Sequence, residues 1–92
     1  MPTSKYENEI NELFKLIASI DNPEDCKKLF ADLCTVKEIE QMALRISAAK
    51  LLLEGKTYQQ VTDTCDISSA TLSRVSRCVR YGNGYNKFLK KE

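Results

Sequence analysis

The stretch from Val36 to Glu54 constrains the fold more than any other part of the chain. Val36, Ile39, Met42, Ala43, Ile46, Ala49 and Leu53 recur at helical spacing and form one apolar stripe. Leu44, Ala48, Leu51 and Leu52 lie largely outside that stripe. A helix that is apolar on more than one side must be covered more fully than a helix lying on a surface. The chain has 92 residues, and a domain of that size buries only roughly 60–65% of the surface its unfolded form exposes. Two arrangements satisfy the pattern: a central helix wrapped by its own neighbours, or a helix shared with a second copy. The size limit favours the second, so the sequence predicts a homodimer with helix 36–54 in its shared core.

The rest of the chain also reads as helix, with no alternating run and no hairpin dipeptide between β-branched segments. Ser4-Lys5-Tyr6-Glu7 has the form of a capping box, and Ile10, Leu13, Phe14 and Ile17 follow at helical spacing, predicting a helix over about 5–20. Asp21-Asn22-Pro23 ends it and opens the next, with Asn22 as cap and Pro23 in the first turn. That second helix, about 23–34, is expected to bury Cys26, Leu29, Phe30 and Leu33. Thr35-Val36-Lys37-Glu38 is a further capping box at the head of the long helix, which stops at Gly55. Two shorter helices follow, about 57–65 and 69–81, and then the glycine-rich break Tyr81-Gly82-Asn83-Gly84-Tyr85. The tail from Asn86 is expected to form at most a last helical turn before fraying. The whole reads as a single all-α domain, residues 1–92, of five to six helices.

Composition is that of an ordinary globular protein, 42% hydrophobic and 29% charged. A net charge of +1 hides an asymmetry: residues 1–34 carry four lysines against seven acids, and residues 35–92 carry ten basic residues against six acids. From Ile67 to Lys91 there are six basic residues and no acid, so the positive charge is concentrated where a nucleic acid can meet it. Cys26, Cys34, Cys65 and Cys78 are spaced too widely for a zinc knuckle, and the chain has no histidine to complete a mixed site. They read as small apolar residues on helices rather than as metal ligands or disulfides. No leader and no long apolar run is evident, which places the chain in a reducing cytoplasm, without a membrane partner, metal or cofactor.

Residues 57–81 fit a helix-turn-helix. Thr57 caps the first helix, and Gln60 closes a capping box. Val61 and Cys65 form its inward face. Asp66 stands where glycine is usual at the sharp turn, and Asp tolerates the left-handed conformation that such a turn requires. Ile67 plugs the space between the helices, and Ser68 caps the second. Leu72 and Val75 pack the second helix down, leaving Ser69, Ala70, Ser73 and Arg74 outward. Small residues let a helix approach bases closely, while hydroxyls and arginines meet base edges or phosphates. The predicted DNA-binding set is Lys56, Thr57, Tyr58, Gln59, Ser68, Ser69, Ala70, Thr71, Ser73, Arg74 and Arg77. A plain helix pair with a solvated basic face is the competing reading of the same residues.

The segment "TYQQVTDTCDISSATLSRVSRC" resembles the bacterial helix-turn-helix repressors, whose second helix often reads S-x-x-T-[V/I]-S-R. The preceding "CTVKEIEQMALRISAAKLLLEGKTYQQV" resembles the tryptophan repressor superfamily specifically. Its long arginine-bearing helix ending in L-L-x-G is what a generic repressor lacks. The ending "SRVSRCVRYGNGY" is similar to the YerC/YecD, or TrpR-like, branch of that superfamily. The resemblance covers about residues 10–85 and implies an intertwined, all-helical homodimer of Trp-repressor type that binds operator DNA as a bacterial transcriptional repressor. In the tryptophan repressor two arginines and a threonine line the amino-acid pocket, and Thr35, Arg45 and Arg74 stand at the matching places. Val75 replaces the glycine after the recognition-helix arginine, and Cys78 replaces a serine farther on. The resemblance therefore implies DNA binding and leaves two roles open for the matching places. One is a candidate effector pocket of Thr35, Arg45, Arg74, Val75 and Cys78 that is not built for tryptophan. The other is Arg45 and Arg74 pairing with acids and DNA.

Other classes fit less well. An enzyme lacks support: there is no histidine, no phosphate-cradling glycine loop and no paired carboxylate in an apolar setting. A helical protein-interaction module is the stronger alternative, but it leaves the hydroxyls and arginines on one exposed face unexplained. RNA binding calls for stacking aromatics, for which only Tyr81 and Tyr85 are candidates.

Overall fold

The computed structural model describes residues 4–90, which contain six helices and, among the described residues, no strand. They are α1 (Glu7–Ala18), α2 (Pro23–Leu33), α3 (Val36–Leu53), α4 (Tyr58–Thr64), α5 (Ser69–Tyr81) and α6 (Gly84–Leu89). The chain divides into two compact units, one ending at Val36 and the other beginning at Lys37. Among the described residues no helix is long and apolar enough to cross a membrane.

In the amino-terminal unit, α1 starts later than the Ser4 capping box predicts. The Ser4 hydroxyl accepts from the Tyr6 amide at 3.1 Å and its carbonyl from Glu7 at 3.2 Å, so these residues form a turn ahead of the helix. Tyr6 occupies the cap position without a side-chain hydrogen bond. α2 opens as its sequence predicts, with Asn22 accepting from the Asp25 amide at 2.8 Å and Pro23 at the first position. Neither helix buries a residue fully. Cys26, Leu29 and Phe30 are half-buried and Leu33 is exposed, short of the burial expected for them. A short helix with one apolar stripe needs a second surface to cover it, and within this chain the stripes of α1 and α2 remain partly open.

The core lies in the carboxyl-terminal unit. Ala48 and Ala49 of α3, Val61 of α4, and Leu72 and Val75 of α5 are buried together. Leu51, Leu52, Ile67 and Val79 pack against them. The two-sided pattern of α3 therefore has two explanations along its length. Near its carboxyl end, Ala48, Leu51 and Leu52 are covered by the chain's own α4 and α5. Farther back, Ile46 and Val36 stay exposed, at 44% and 74%. Leu52, expected in the shared dimer core, belongs to this local core.

α3 ends in a Schellman motif. The Gly55 amide donates to Leu52 and the Lys56 amide to Leu51, each at 3.0 Å, and Gly55 takes φ +90°. A side chain is strained at that φ, so glycine is what lets the chain reverse directly into α4.

The tail is more ordered than its composition suggests. α6 packs Tyr85 and Leu89 against the core, and Asn86 ties it to the end of α5. The Asn86 amide group donates to the Val79 carbonyl at 2.7 Å and the Gly82 carbonyl at 3.1 Å. These acceptors lie at a helix end, where carbonyls lack intrahelical partners. Asn86→Ala should cost about 0.5–1.5 kcal/mol for each hydrogen bond lost. Amide exchange in α6 should accelerate relative to α5, and unchanged α6 protection would contradict the tie.

Candidate nucleic-acid interface

Local hydrogen bonding sets the start of both helices in the predicted helix-turn-helix. At α4 the Thr57 hydroxyl accepts from the Gln60 amide at 3.1 Å, and the Gln60 side chain accepts from the Thr57 amide at 2.9 Å. That is the reciprocal capping box the sequence predicts. At α5 the Ser68 hydroxyl accepts from the Thr71 amide at 3.2 Å and donates to the Thr71 hydroxyl at 2.9 Å. Ser68 is thus engaged as a cap.

The turn between them differs from expectation. Asp66 is not left-handed, since no non-glycine residue among those described has positive φ. Instead the Ile67 amide donates to the Cys65 carbonyl at 2.9 Å, closing a three-residue turn centred on Asp66. Cys65 itself is extended, at φ −114° and ψ 136°. Two adjustments at negative φ replace the single left-handed residue that glycine supplies elsewhere.

Packing then divides α5 lengthwise. Leu72, Val75 and Ser76 are buried, with Val79 half-buried beside them. Because α5 turns every 3.6 residues, its remaining side chains fall on two flanks. Ser69, Ala70, Ser73, Arg77 and Arg80 occupy one flank and are all exposed. Thr71, Arg74 and Cys78 occupy the other. Lys56, Thr57, Tyr58 and Gln59 are exposed around the start of α4, where the Gln59 amide group donates to Asp63 at 2.9 Å. The predicted DNA-binding residues on α5 therefore border two different cavities. Thr71 and Arg74 line a different cavity from Ser73 and Arg77.

Thr71 and Arg74 line a groove of about 490 Å³, together with Arg45, Val75 and Cys78. Four of the five residues expected to form an effector pocket meet there. Thr35 belongs to the amino-terminal unit and is not part of this lining. The outer wall is α6, through Tyr85, Phe88 and Leu89, which sequence reasoning missed because nothing in the tail signalled packing. The walls are largely apolar, with two arginines among them. Val75 contributes little open surface, being only 2% exposed and held in the core. No arginine has an ion-pair partner among the described residues, so both flanks of α5 present unneutralised positive charge.

Thr57→Ala removes one half of the α4 capping box and should destabilise the protein by about 0.5–2 kcal/mol. Urea denaturation measures this directly, and an unchanged midpoint would show that the box contributes nothing.

Comparison with known proteins matches these features to one family. Residues 8–92 match the family model described as Trp repressor protein. An uncharacterised Bacillus subtilis protein, YerC, is 44% identical over 75 residues, spanning 82% of this chain and 72% of its own. Among solved structures, a Staphylococcus aureus chain provisionally described as a Trp repressor superposes with a TM-score of 0.84 at 36% identity, covering 95% of this chain and 92% of that one. A TrpR-like protein from Eubacterium eligens gives 0.83 at 34% identity, over 91% and 94% of the respective chains.

Proposed function

The chain belongs to the Trp repressor family, and from that premise we propose that it is a sequence-specific DNA-binding transcriptional repressor that reads operator DNA as a homodimer through α5. One observation carries the reading. Ser69, Ala70, Ser73 and Arg77 share an exposed, acid-free flank of α5. Their small side chains let the helix approach the base edges in the major groove, while hydroxyls and an arginine supply hydrogen bonds there or to phosphates. α4 braces the helix across the backbone, as the first helix of such a unit does. A helical protein-interaction module would be indifferent to duplex DNA, and that difference separates the readings.

Ser73→Glu is the sharper test. Ser73 is exposed, so the change should leave the fold intact while placing a negative charge against an acceptor-rich groove. Anisotropy with a fluorescent duplex should show wild-type binding that falls steeply with salt and at least a tenfold loss in the variant. Equal affinities, with the variant folded, would contradict this placement of α5.

Dimerisation rests on the apolar surface left open by one copy. Phe14, Leu33, Val36 and Ile46 are 62%, 49%, 74% and 44% exposed, and such exposure of large apolar groups marks an interaction surface. Sedimentation at micromolar concentration should give a particle twice the 10.5 kDa chain mass. A folded monomer under those conditions would overturn the dimer.

The groove beside Arg45 and Arg74 supports an effector site for a small molecule other than tryptophan. A flat indole packs on a helix backbone where no side chain intervenes, and Val75 puts a stiff branched one there. Overfilling a packed site costs about 1–3 kcal/mol, roughly a tenfold to hundredfold loss of affinity. Calorimetry should detect no micromolar binding of L-tryptophan. Binding in that range that also tightens affinity for DNA would show that Val75 leaves room for it.

A further inference from the structure

A second cavity lies on the flank of α5 away from the groove, and it shares Ser73 and Arg77 with the base-reading set. It is a notch of about 160 Å³ lined by Tyr58 of α4 and by Ser73, Ser76, Arg77, Arg80 and Tyr81 of α5. No carboxylate lines it, and neither arginine has an ion-pair partner among the described residues. Ser76 adds an independent observation. It is a polar residue 6% exposed, and among the described residues its hydroxyl has no hydrogen-bond partner. Among the described residues no buried side-chain polar atom is left without a partner, so the Ser76 hydroxyl reaches open space, and the open space beside it is this notch.

We propose that the notch between Tyr58 and the Ser73–Tyr81 flank of α5 seats one backbone phosphate of duplex DNA, held jointly by Arg77 and Arg80 and by the hydroxyls of Tyr58 and Ser76. Each of these groups donates a hydrogen bond, and phosphate oxygens accept them; guanidinium groups suit that geometry especially well. Ser73 stands at the edge of the notch and on the base-reading flank. A phosphate fixed there therefore sets how deeply, and at what angle, the start of α5 enters the groove. Phosphate contacts position a protein on the duplex, and base contacts specify the site. This inference rests on the DNA-binding reading above and assigns Arg80, Ser76 and the Tyr58 hydroxyl a shared part in it.

The test measures affinity for a short fluorescent duplex across a range of salt, using the full chain. Each phosphate neutralised contributes a slope of about 0.9 in log affinity against log salt. Replacing Arg77 and Arg80 together by Gln should lower the slope by about one such unit, since both hold the same phosphate. Arg80→Lys, which keeps the charge, should retain the wild-type slope. Tyr58→Phe should weaken binding a few-fold with the slope unchanged. Circular dichroism confirms that each variant folds, and a duplex with single phosphates replaced by methylphosphonate gives a measurement on the wild type alone. One neutral position per bound copy should there reproduce the loss of slope. A double variant that keeps the full slope, or loses about two units, overturns the shared seat while leaving DNA binding in place. Inorganic phosphate bound at millimolar concentration by the wild type, and lost in the double variant, would assign the notch to a free anion and overturn the proposal. A wild type with no affinity for duplex DNA removes the DNA reading and the notch with it.

Discussion

Everything the carboxyl-terminal unit presents to its surroundings depends on how α5 is held. Leu72 and Val75 are almost fully buried against Ala48, Ala49 and Val61. The two alanines of α3 allow that approach, because a larger side chain at either place would force α5 outward. Once this strip of α5 is fixed, helical geometry leaves no freedom about where the rest points. Ser73, Arg77 and Arg80 must emerge on one side, and Arg74 and Cys78 on the other. A single packing contact thereby separates the flank proposed to meet nucleic acid from the groove lined by Arg45 and Arg74.

That division was only half legible in the sequence. The helices, the Thr57 box, the Ser68 cap, and the inward positions of Val61, Leu72 and Val75 follow from spacing and capping chemistry alone. Arg74 enters both the DNA-binding set, from its outward position on the helix, and the effector pocket, from the family resemblance. It belongs to the groove, with Arg45. The wall made by α6 was illegible for a different reason. Its order depends on the Asn86 side chain reaching back to the Val79 and Gly82 carbonyls, and a tertiary hydrogen bond leaves no periodic trace. Asp66 was misread because a left-handed residue is the commonest way to turn sharply but not the only one.

The placement of Val75 links fold to function most directly. The same side chain that completes the core under α5 stands at the floor of the groove, so core packing and ligand space compete for one position. A branched residue there helps hold α5 rigidly against the core. The orientation of α5 is thus set chiefly by the protein's own packing. Exposed apolar side chains also remain on α1, α2 and the early part of α3, and the proposed dimer would cover them.

The most direct test is selection of bound duplexes from a random pool with the purified chain. A homodimer reading DNA through two copies of α5 predicts recovery of a palindrome, with half-sites about one helical turn apart. Recovery of unrelated sequences, no richer in any motif than the starting pool, would contradict the account at its centre.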